Sequence, residues 1–291
     1  MVNIKNNSEK WTALVFMFPA LLLVLLVSIY PIFVAIKWSM YETSYVKAVK
    51  FIGSGNFIQI LGSKDGLKNI SNSLIYVFSS LVVVIPLSTM LAVLLNKEIR
   101  LRILMRTVII LPWVISQTVT ALLWKWIVNS NYGPIIYAIQ QLGGPKLDFL
   151  NTPAGAKISL VIANTWNTFP IALVLVLAAL QTIPRELYEA GMVDGATGWR
   201  AFTRITLPLI KPTISVTVIM LSLEYFNMVT LIYVFTGGGP FNATETLSLR
   251  AFKEGFDYWN VGLGSAFSVI IFIFNILLSL LYVRVLKSNE Q

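Results

Sequence analysis

The stretch that decides the fold runs from Trp11 to Ile36 and reads WTALVFMFPALLLVLLVSIYPIFVAI. It contains no charged residue, and a helix needs about 20 apolar residues to cross a bilayer. Five further, mainly apolar windows follow at Asn72 to Leu95, Thr107 to Ile127, Ile158 to Leu180, Thr213 to Phe235 and Gly262 to Val283. The sequence therefore predicts an all-α, polytopic membrane protein of six transmembrane helices.

The composition agrees with a lipid environment and argues against most enzyme classes. Of the 291 residues only 12% are charged, about half the usual share, and the mean hydropathy is +0.76. The chain has no Cys and no His, so it lacks the thiolate nucleophile, the commonest general base and the usual zinc ligands. It also lacks the G-x-x-x-x-G-K-[ST] phosphate loop. We expect a non-catalytic subunit without a cofactor of its own, whose partner binds any ATP and magnesium.

Basic residues predict the orientation, because Lys and Arg are retained on the cytoplasmic side of a membrane. The net charge is +9, but no cluster matches a nucleic-acid-binding motif, so we expect no nucleic acid. Seven arginines fall on the same side as the termini: Arg100, Arg102, Arg106, Arg185, Arg200, Arg204 and Arg284. Both termini are therefore predicted to be cytoplasmic. Two exceptions are Arg250, which falls on the opposite side, and the lysines of the first outer loop, Lys37 to Ser71, which the length of that loop permits.

The predicted cytoplasmic loop between the fourth and fifth helices spans residues 181–212 and is too long for a tight connection. Pro184 and Gly195 suit the start and the end of a first short helix. Thr197 is expected to cap a second helix, which Leu207-Pro208 would end. Helix signals alone leave two interpretations open: an amphipathic segment at the lipid surface, or a rigid element that docks a partner.

The order of residues in this loop distinguishes the two interpretations. It contains Glu189-Ala190-Gly191, three residues, Gly195, nine residues, Ile205, one residue and Leu207-Pro208. This resembles the E-A-A, x3, G, x9, I, x, L-P signature of the membrane permease subunits of binding-protein-dependent ABC importers, with Gly191 in place of the second alanine. The resemblance implies that the loop is the coupling element that sits in a cleft of the ATPase, with Glu189 facing a basic residue there.

A second resemblance lies in the last outer loop. Thr236-Gly237-Gly238-Gly239-Pro240, followed by Asn242, Thr244 and Thr246, is similar to the T-G-G-G-P, N-x-T-x-T stretch of maltose-transporter-like, carbohydrate-uptake permeases. On its own, the Gly-Pro run is equally typical of a turn. The resemblance implies that Gly237, Gly238, Gly239 and Pro240 contact an extracytoplasmic solute-binding protein. It also implies a second permease subunit and two cytoplasmic ATPase subunits.

A sugar pathway requires amides, hydroxyls and aromatic faces rather than ions. The candidates near mid-membrane depth are Tyr76, Gln117, Asn164, Trp166, Asn167, Glu224 and Asn227. Polar groups inside a membrane point to function, but amides also hold helices together, so both interpretations stay open. Glu224, which can ionise, favours the pathway or a subunit contact.

Two alternatives remain for the function. The same machinery could carry a polyol, glycerol phosphate or another small solute, although we find no cation at mid-depth for a phosphate. A different class, an ion-coupled carrier, would work without ATPase partners. A membrane-embedded enzyme is disfavoured, because Glu224 is the single acid at mid-depth.

Overall fold

The computed structural model describes residues 7–97, 100 and 102–288. The predicted cytoplasmic ends, residues 1–6 and 289–291, lie outside the described residues. The α-helices are α1 (Asn7–Val24), α2 (Tyr30–Ser39), α3 (Gly55–Gly62), α4 (Lys64–Asn96), α5 (Arg102–Val114), α6 (Gln117–Ile127), α7 (Pro134–Gln141), α8 (Pro153–Gln181), α9 (Arg185–Val193), α10 (Trp199–Ala201), α11 (Leu207–Phe226), α12 (Thr230–Phe235), α13 (Leu247–Phe252) and α14 (Val261–Ser288). Single π-turns occur at Leu25–Ile29, Phe202–Thr206 and Lys253–Asp257.

The fold is mostly helical, as predicted, but it is not purely α. An antiparallel hairpin is formed by β1 (Tyr41–Ser44) and β2 (Lys47–Phe51) in the first predicted outer loop. Its two-residue turn contains Tyr45 at a φ of +54° and lacks the Asn-Gly or Asp-Gly pair by which such turns are recognised. The sequence therefore gave no signal for this hairpin.

The chain divides into two compact units. The first unit combines the described part of Met1–Gly62 with Ala251–Ile270, and the second combines Ser63–Arg250 with the described part of Ile271–Gln291. In the second unit α4 packs along α8, and α5 and α11 pack against this pair. Leu95, Leu173 and Ile210 are fully buried in one of its apolar clusters, so the core lies among the long helices.

Five helical stretches are long and apolar enough to cross a membrane: Trp11–Ser39, Lys64–Asn96, Pro153–Gln181, Trp199–Phe226 and Val261–Tyr282. A sixth candidate is the pair α5 and α6, which is bent by 98°. The described chain thus has five or six candidate spans. In the first of them no residue of the most apolar window is buried.

The window Thr107 to Ile127 was predicted as one helix, and this prediction is wrong. The helix ends at Val114, and Ser116 adopts an extended conformation, from which its Oγ accepts a hydrogen bond from the Val119 N–H and caps α6. A Ser side chain competes for backbone hydrogen bonds in this way at helix starts. An apolar window alone does not distinguish a straight helix from two helices that meet at a cap.

The predicted end of a helix at Leu207-Pro208 is also wrong. The span from Trp199 to Phe226 runs through Pro208 without interruption. The π-turn at Phe202–Thr206 lets the Leu207 N–H bond to the Phe202 carbonyl, one residue further back than in an α-helix. A π-turn widens the helix locally, so the helix can accommodate a proline ring and the absence of the proline N–H group. The chain therefore continues directly into α11.

Candidate functional site

The segment around Glu189 forms a helix followed by a tight elbow. After α9 the Gly195 N–H bonds to the Met192 carbonyl, and the Ala196 N–H bonds to the Gly191 carbonyl at 2.7 Å. This pair of bonds is a Schellman motif, which requires a left-handed residue just past the helix. Gly195 meets that requirement with a φ of +77°, so the glycine of the signature fixes the elbow. We call Arg185–Thr206 the coupling segment.

The second helix of the coupling segment starts one residue later than expected. Gly198, at a φ of +52°, is its N-cap, without a side-chain cap bond, and the predicted Thr197 cap is not observed. The helix leads through α10 and the π-turn into α11, and the Trp199 and Phe202 rings lie 5.2 Å apart. Both aromatic residues border an apolar groove of about 650 Å³ beside α4.

The two helices of the coupling segment are joined by side-chain contacts. The Tyr188 hydroxyl hydrogen-bonds the Thr206 Oγ1 at 3.0 Å. Gly191 faces the end of the Ile205 side chain so closely that an added Cβ would collide with the Ile205 Cδ1. Two signature positions, 191 and 205, are therefore packed against each other, and the glycine provides the space for the isoleucine.

The outer surface of α9 combines apolar and charged side chains. Val193 is 88% exposed, and Leu187 and Met192 are also exposed. Glu189 is exposed, and its carboxylate has no hydrogen bond or ion pair with any residue that the structure describes. An exposed apolar patch beside charged side chains is typical of a protein contact. Ala190 is exposed beside it, whereas Leu207 and Pro208 belong to α11.

The glycine-rich outer loop has a different character, because its polar groups bond to one another. The Thr236 and Thr244 hydroxyls are 2.7 Å apart, and the Thr244 Oγ1 also donates to the Gly239 carbonyl at 2.9 Å. Gly237 and Gly238 have φ values of +62° and +92°, which explains the glycines by backbone conformation. We call Thr236–Thr246 the outer loop.

The outer loop is also anchored to α4. The Asn72 Nδ2 donates to the carbonyls of Asn242 and Glu245, and the Lys68 Nζ donates to the Phe241 carbonyl. Gly238 is buried, and Gly237, Gly239 and Pro240 are partly buried. Phe241, by contrast, is 83% exposed. The sequence analysis missed this residue, and an aromatic side chain directly after Gly-Pro was the available signal.

A buried ion pair closes the outer loop, and the sequence analysis missed it as well. Glu245 is 1% exposed, and its Oε2 lies 3.6 Å from the Arg250 Nη1. A carboxylate without a cation is rarely buried this deeply. Glu245 lies just before α13 and Arg250 lies within it, and a separation of five positions carries no helical or strand signal.

Among the predicted pathway residues, Asn167 has a structural role. Its Nδ2 donates to the carbonyls of Pro112 and Ile115 and to the Thr120 Oγ1, at 2.8 to 3.2 Å. These groups lie at the break between α5 and α6, where carbonyls lose their helical partners. Asn167 thus holds the break together, as the alternative interpretation of the amides proposed. Trp166 packs edge-on against Trp124, with ring centroids 6.1 Å apart.

A buried polar cluster lies between α4, α8 and α11. Tyr76 and Tyr225 have ring centroids 6.1 Å apart, and the Tyr225 hydroxyl hydrogen-bonds the Thr168 Oγ1 at 2.7 Å. Asn164 is fully buried, and neither atom of its amide has a partner in the structure. The same holds for the Tyr76 hydroxyl. Unpaired buried polar groups are uncommon and call for a functional or hydration explanation.

Three other predicted pathway residues lie at the surface of the second unit. Glu224 and Asn227 are exposed near the end of α11, and Gln117 is partly exposed at the start of α6. The Asn275 Nδ2 on α14 donates to the Asn227 Oδ1 at 3.4 Å. Glu224 has no hydrogen bond or ion pair through its carboxylate with the described residues. The structure therefore separates the seven candidates into buried and exposed groups.

Several apolar spans, one of them continuous with a rigid and exposed segment, are the architecture of a membrane transport subunit. Residues 84–289 match the family described as the inner membrane component of binding-protein-dependent transport systems. The chain belongs to this family, so it is a multi-pass permease subunit of the inner membrane. This confirms the family and the membrane location that the signature at Glu189 implied.

Relatives share most of the chain. It is 32% identical to the trehalose/maltose transport system permease protein MalF of Thermococcus litoralis, over 92% of this chain and 90% of that one. It is 28% identical to the sulfoquinovosyl glycerol transport system permease protein SmoG of Agrobacterium fabrum, over 97% and 92%. A bacterial ABC transporter for alginate import contains a chain with the same fold, with a TM-score of 0.83, 23% identity and coverage of 97% and 96%.

Proposed function

We propose that this chain is the membrane-spanning subunit of an ATP-driven importer that takes up a sugar or oligosaccharide. An extracytoplasmic binding protein delivers the sugar, and two cytoplasmic ATPase subunits bind the ATP and magnesium. The observation that carries the proposal is the coupling segment, an exposed, rigid, charged element that is continuous with a membrane span.

The continuity supplies the mechanism. From Trp199 to Phe226 the helix has 28 residues, which corresponds to about 42 Å of rise. Because α9 is fixed to this helix by Tyr188 and Gly191, a displacement of α9 moves the whole helix. Closure of the ATPase pair would therefore shift Glu224 and Asn227 at the far end of the helix. This shift would turn the pathway from facing inward to facing outward.

The exposed polar groups support a second permease subunit. A carboxylate at bilayer depth is unfavourable in contact with lipid and normally faces a protein or a water-filled cavity. Glu224, Asn227 and Asn275 form such a polar surface, and the described residues contain at most six candidate spans. We propose that a homologous subunit, or a second copy, covers this surface and that the pathway runs between the two.

The relatives support a sugar as the transported solute. MalF of T. litoralis is named for trehalose and maltose, and SugA of Mycobacterium tuberculosis, 31% identical over 91% of this chain, is named for trehalose. In this proposal the coupling segment is cytoplasmic, the bent pair α5 and α6 is a sixth span, and both termini are cytoplasmic.

The test is Glu189→Ala in the assembled complex, reconstituted in vesicles. Loss of the carboxylate should lower binding-protein-stimulated ATPase activity and sugar uptake about tenfold or more, because it leaves a basic group of the ATPase cleft unpaired. Glu186→Ala is the matched control, since Glu186 is exposed in the first turn of the same helix. Unchanged uptake and ATPase activity in Glu189→Ala would contradict the coupling role.

A further inference from the structure

The first unit contains a polar recess that the proposed function does not use. It has a volume of about 510 Å³ and is formed by the hairpin and by the segment that precedes α14. The hairpin contributes Thr43, Ser44 and Tyr45, and the other side contributes Asp257, Tyr258, Trp259 and Asn260. We call this the hairpin recess.

Hydrogen bonds fix both walls of the hairpin recess. The Thr43 Oγ1 donates to the Asn260 Oδ1 at 3.2 Å and accepts from the Gly262 N–H at 2.8 Å. The Asn260 N–H bonds to the Glu254 carbonyl at 2.7 Å. At Gly262 an added Cβ would collide with the Tyr41 carbonyl, so the absence of a side chain permits this close approach. The recess is thus preorganised.

The aromatic side chains of the recess are exposed despite their size. Tyr45 is 70%, Tyr258 57% and Trp259 50% exposed. Tyr45 and Trp259 also have φ values of +54° and +59°, which are uncommon for bulky residues and persist where the surrounding structure enforces them. Two aromatic residues are therefore held in an unfavourable backbone conformation and still leave half or more of their surface open.

The charge of the recess indicates which ligand it suits. The Asp257 carboxylate is exposed and has no hydrogen bond or ion pair with any described residue. The Thr43 hydroxyl and the Asn260 Oδ1 are already occupied by each other and by backbone N–H groups. Asp257 is thus the one charged group among the residues that line the recess, and it adjoins aromatic faces. Aromatic faces with a carboxylate attract an ammonium or guanidinium group, so the charge favours a cationic ligand over a neutral one.

We propose that the hairpin recess receives a Lys or Arg side chain from a loop of the extracytoplasmic binding protein. The inference rests on the proposed function and adds a specific contact to it. The two walls of the hairpin recess belong to the segments that connect the first span to the second and the fifth span to the sixth. Because successive spans cross the membrane in opposite directions, these two connections lie on the side opposite the coupling segment, which joins the fourth and fifth spans. The recess is then accessible to a protein that delivers sugar from outside.

The experiment measures binding-protein-stimulated ATPase activity of the reconstituted complex against the concentration of sugar-loaded binding protein. Asp257→Asn and Trp259→Asn should each raise the half-maximal concentration about fivefold at low ionic strength. The maximal rate should stay unchanged, because the site acts on docking. Asn tolerates the positive φ at position 259, and Trp259→Phe, which keeps a ring, should restore most of the affinity. Glu42→Gln, on an exposed carboxylate of β1 outside the recess, should behave like the wild type.

The other outcomes overturn the inference. An unchanged half-maximal concentration in Asp257→Asn would exclude a cationic partner, even if Trp259→Asn had an effect, since the occupant would then be uncharged. An equal effect of Glu42→Gln would indicate general electrostatic attraction rather than this recess. A lower maximal rate with unchanged half-saturation would place Asp257 in the transport cycle instead. A wild-type complex that is insensitive to the binding protein would overturn the proposed function as well, so the two failures are distinguishable.

Discussion

The coupling segment and the outer loop both contain glycines with positive φ, yet they use their polar groups in opposite ways. In the outer loop the Thr236 and Thr244 hydroxyls bond to each other, Asn72 of α4 donates to two backbone carbonyls of the loop, and Thr244 is 3% exposed. In the coupling segment Glu189 has no partner among the described residues, and the neighbouring Val193 is 88% exposed. Similar turn chemistry thus builds a closed scaffold in one region and an open contact surface in the other.

This difference predicts how the two regions respond to substitution. A group whose hydrogen bonds are satisfied inside the chain contributes to the stability of the fold, and its loss leaves buried partners unpaired. A group that is unpaired and exposed contributes little to folding and is available to a partner. Substitutions in the outer loop should therefore lower stability, and those in the coupling segment should lower assembly or activity.

The largest effect on stability is expected for Asn72→Leu. The substitution removes both hydrogen bonds from α4 to the Asn242 and Glu245 carbonyls. One buried and one partly buried acceptor lose a donor, which should destabilise the protein by about 2 to 4 kcal/mol. The measurement is the midpoint of thermal unfolding of the purified chain in detergent.

Gln140→Leu is the control for this prediction, because Gln140 is an exposed amide on α7. It should leave the midpoint within about a degree of the wild-type value. In the assembled complex, the fraction of Asn72→Leu that folds should support the wild-type ATPase activity of the partner subunits. Normal stability in this variant would contradict the description of the outer loop as a scaffold anchored by α4.

A smaller effect on the fold, but a large one on assembly, is expected for Gly195→Val. A β-branched residue at a φ of +77° is strained by about 1 to 2 kcal/mol, so the elbow after α9 should open. Co-purification of the ATPase subunits with the permease should fall sharply. Gly195→Asn should assemble much better, since Asn accepts the left-handed conformation. Equal assembly of the two variants would show that the elbow is not required.

The smallest effect is expected for Gly191→Ala, which restores the alanine of the family signature. The new Cβ would meet only the flexible end of Ile205, which can rotate away, so uptake should stay within about twofold of the wild type. Gly191→Leu should overpack the contact with the second helix and reduce uptake much more. Similar uptake in both variants would contradict close packing between α9 and Ile205.

The sequence predicted those parts of the fold that depend on local signals. The apolar window Trp11 to Ile36 identified a span without further information, and Gly195 indicated the end of α9, because capping and hydropathy act within one helix. The break at Ser116 was not foreseen, since Asn167, more than fifty residues away, supplies the donors that stabilise it. The continuation through Pro208 was missed because a π-turn overrides the local rule for proline.

For the candidate site, too, the sequence predicted the position of the residues but not the features that depend on tertiary packing. The signature located Glu189 and its neighbours on one surface, but it did not reveal that their helix is continuous with a span. For the outer loop, the Gly-Pro run predicted a turn and a contact, whereas burial of Gly238 and exposure of Phe241 depend on packing against α4. The tertiary neighbours of an amide such as Asn167 decide whether it lines a pathway or holds helices together. A single sequence does not show which residues those neighbours are.

The most direct test of the central claim compares Val193 with Phe241. The chain has no cysteine, so Val193→Cys and Phe241→Cys each introduce a single thiol, at side chains that are 88% and 83% exposed in the coupling segment and the outer loop. In the assembled complex a short thiol–amine cross-linker should join Val193→Cys to the ATPase subunit and should not join Phe241→Cys to it. Cross-linking of the ATPase through Phe241→Cys, or none through Val193→Cys, would contradict the assignment of the coupling segment as the docking surface.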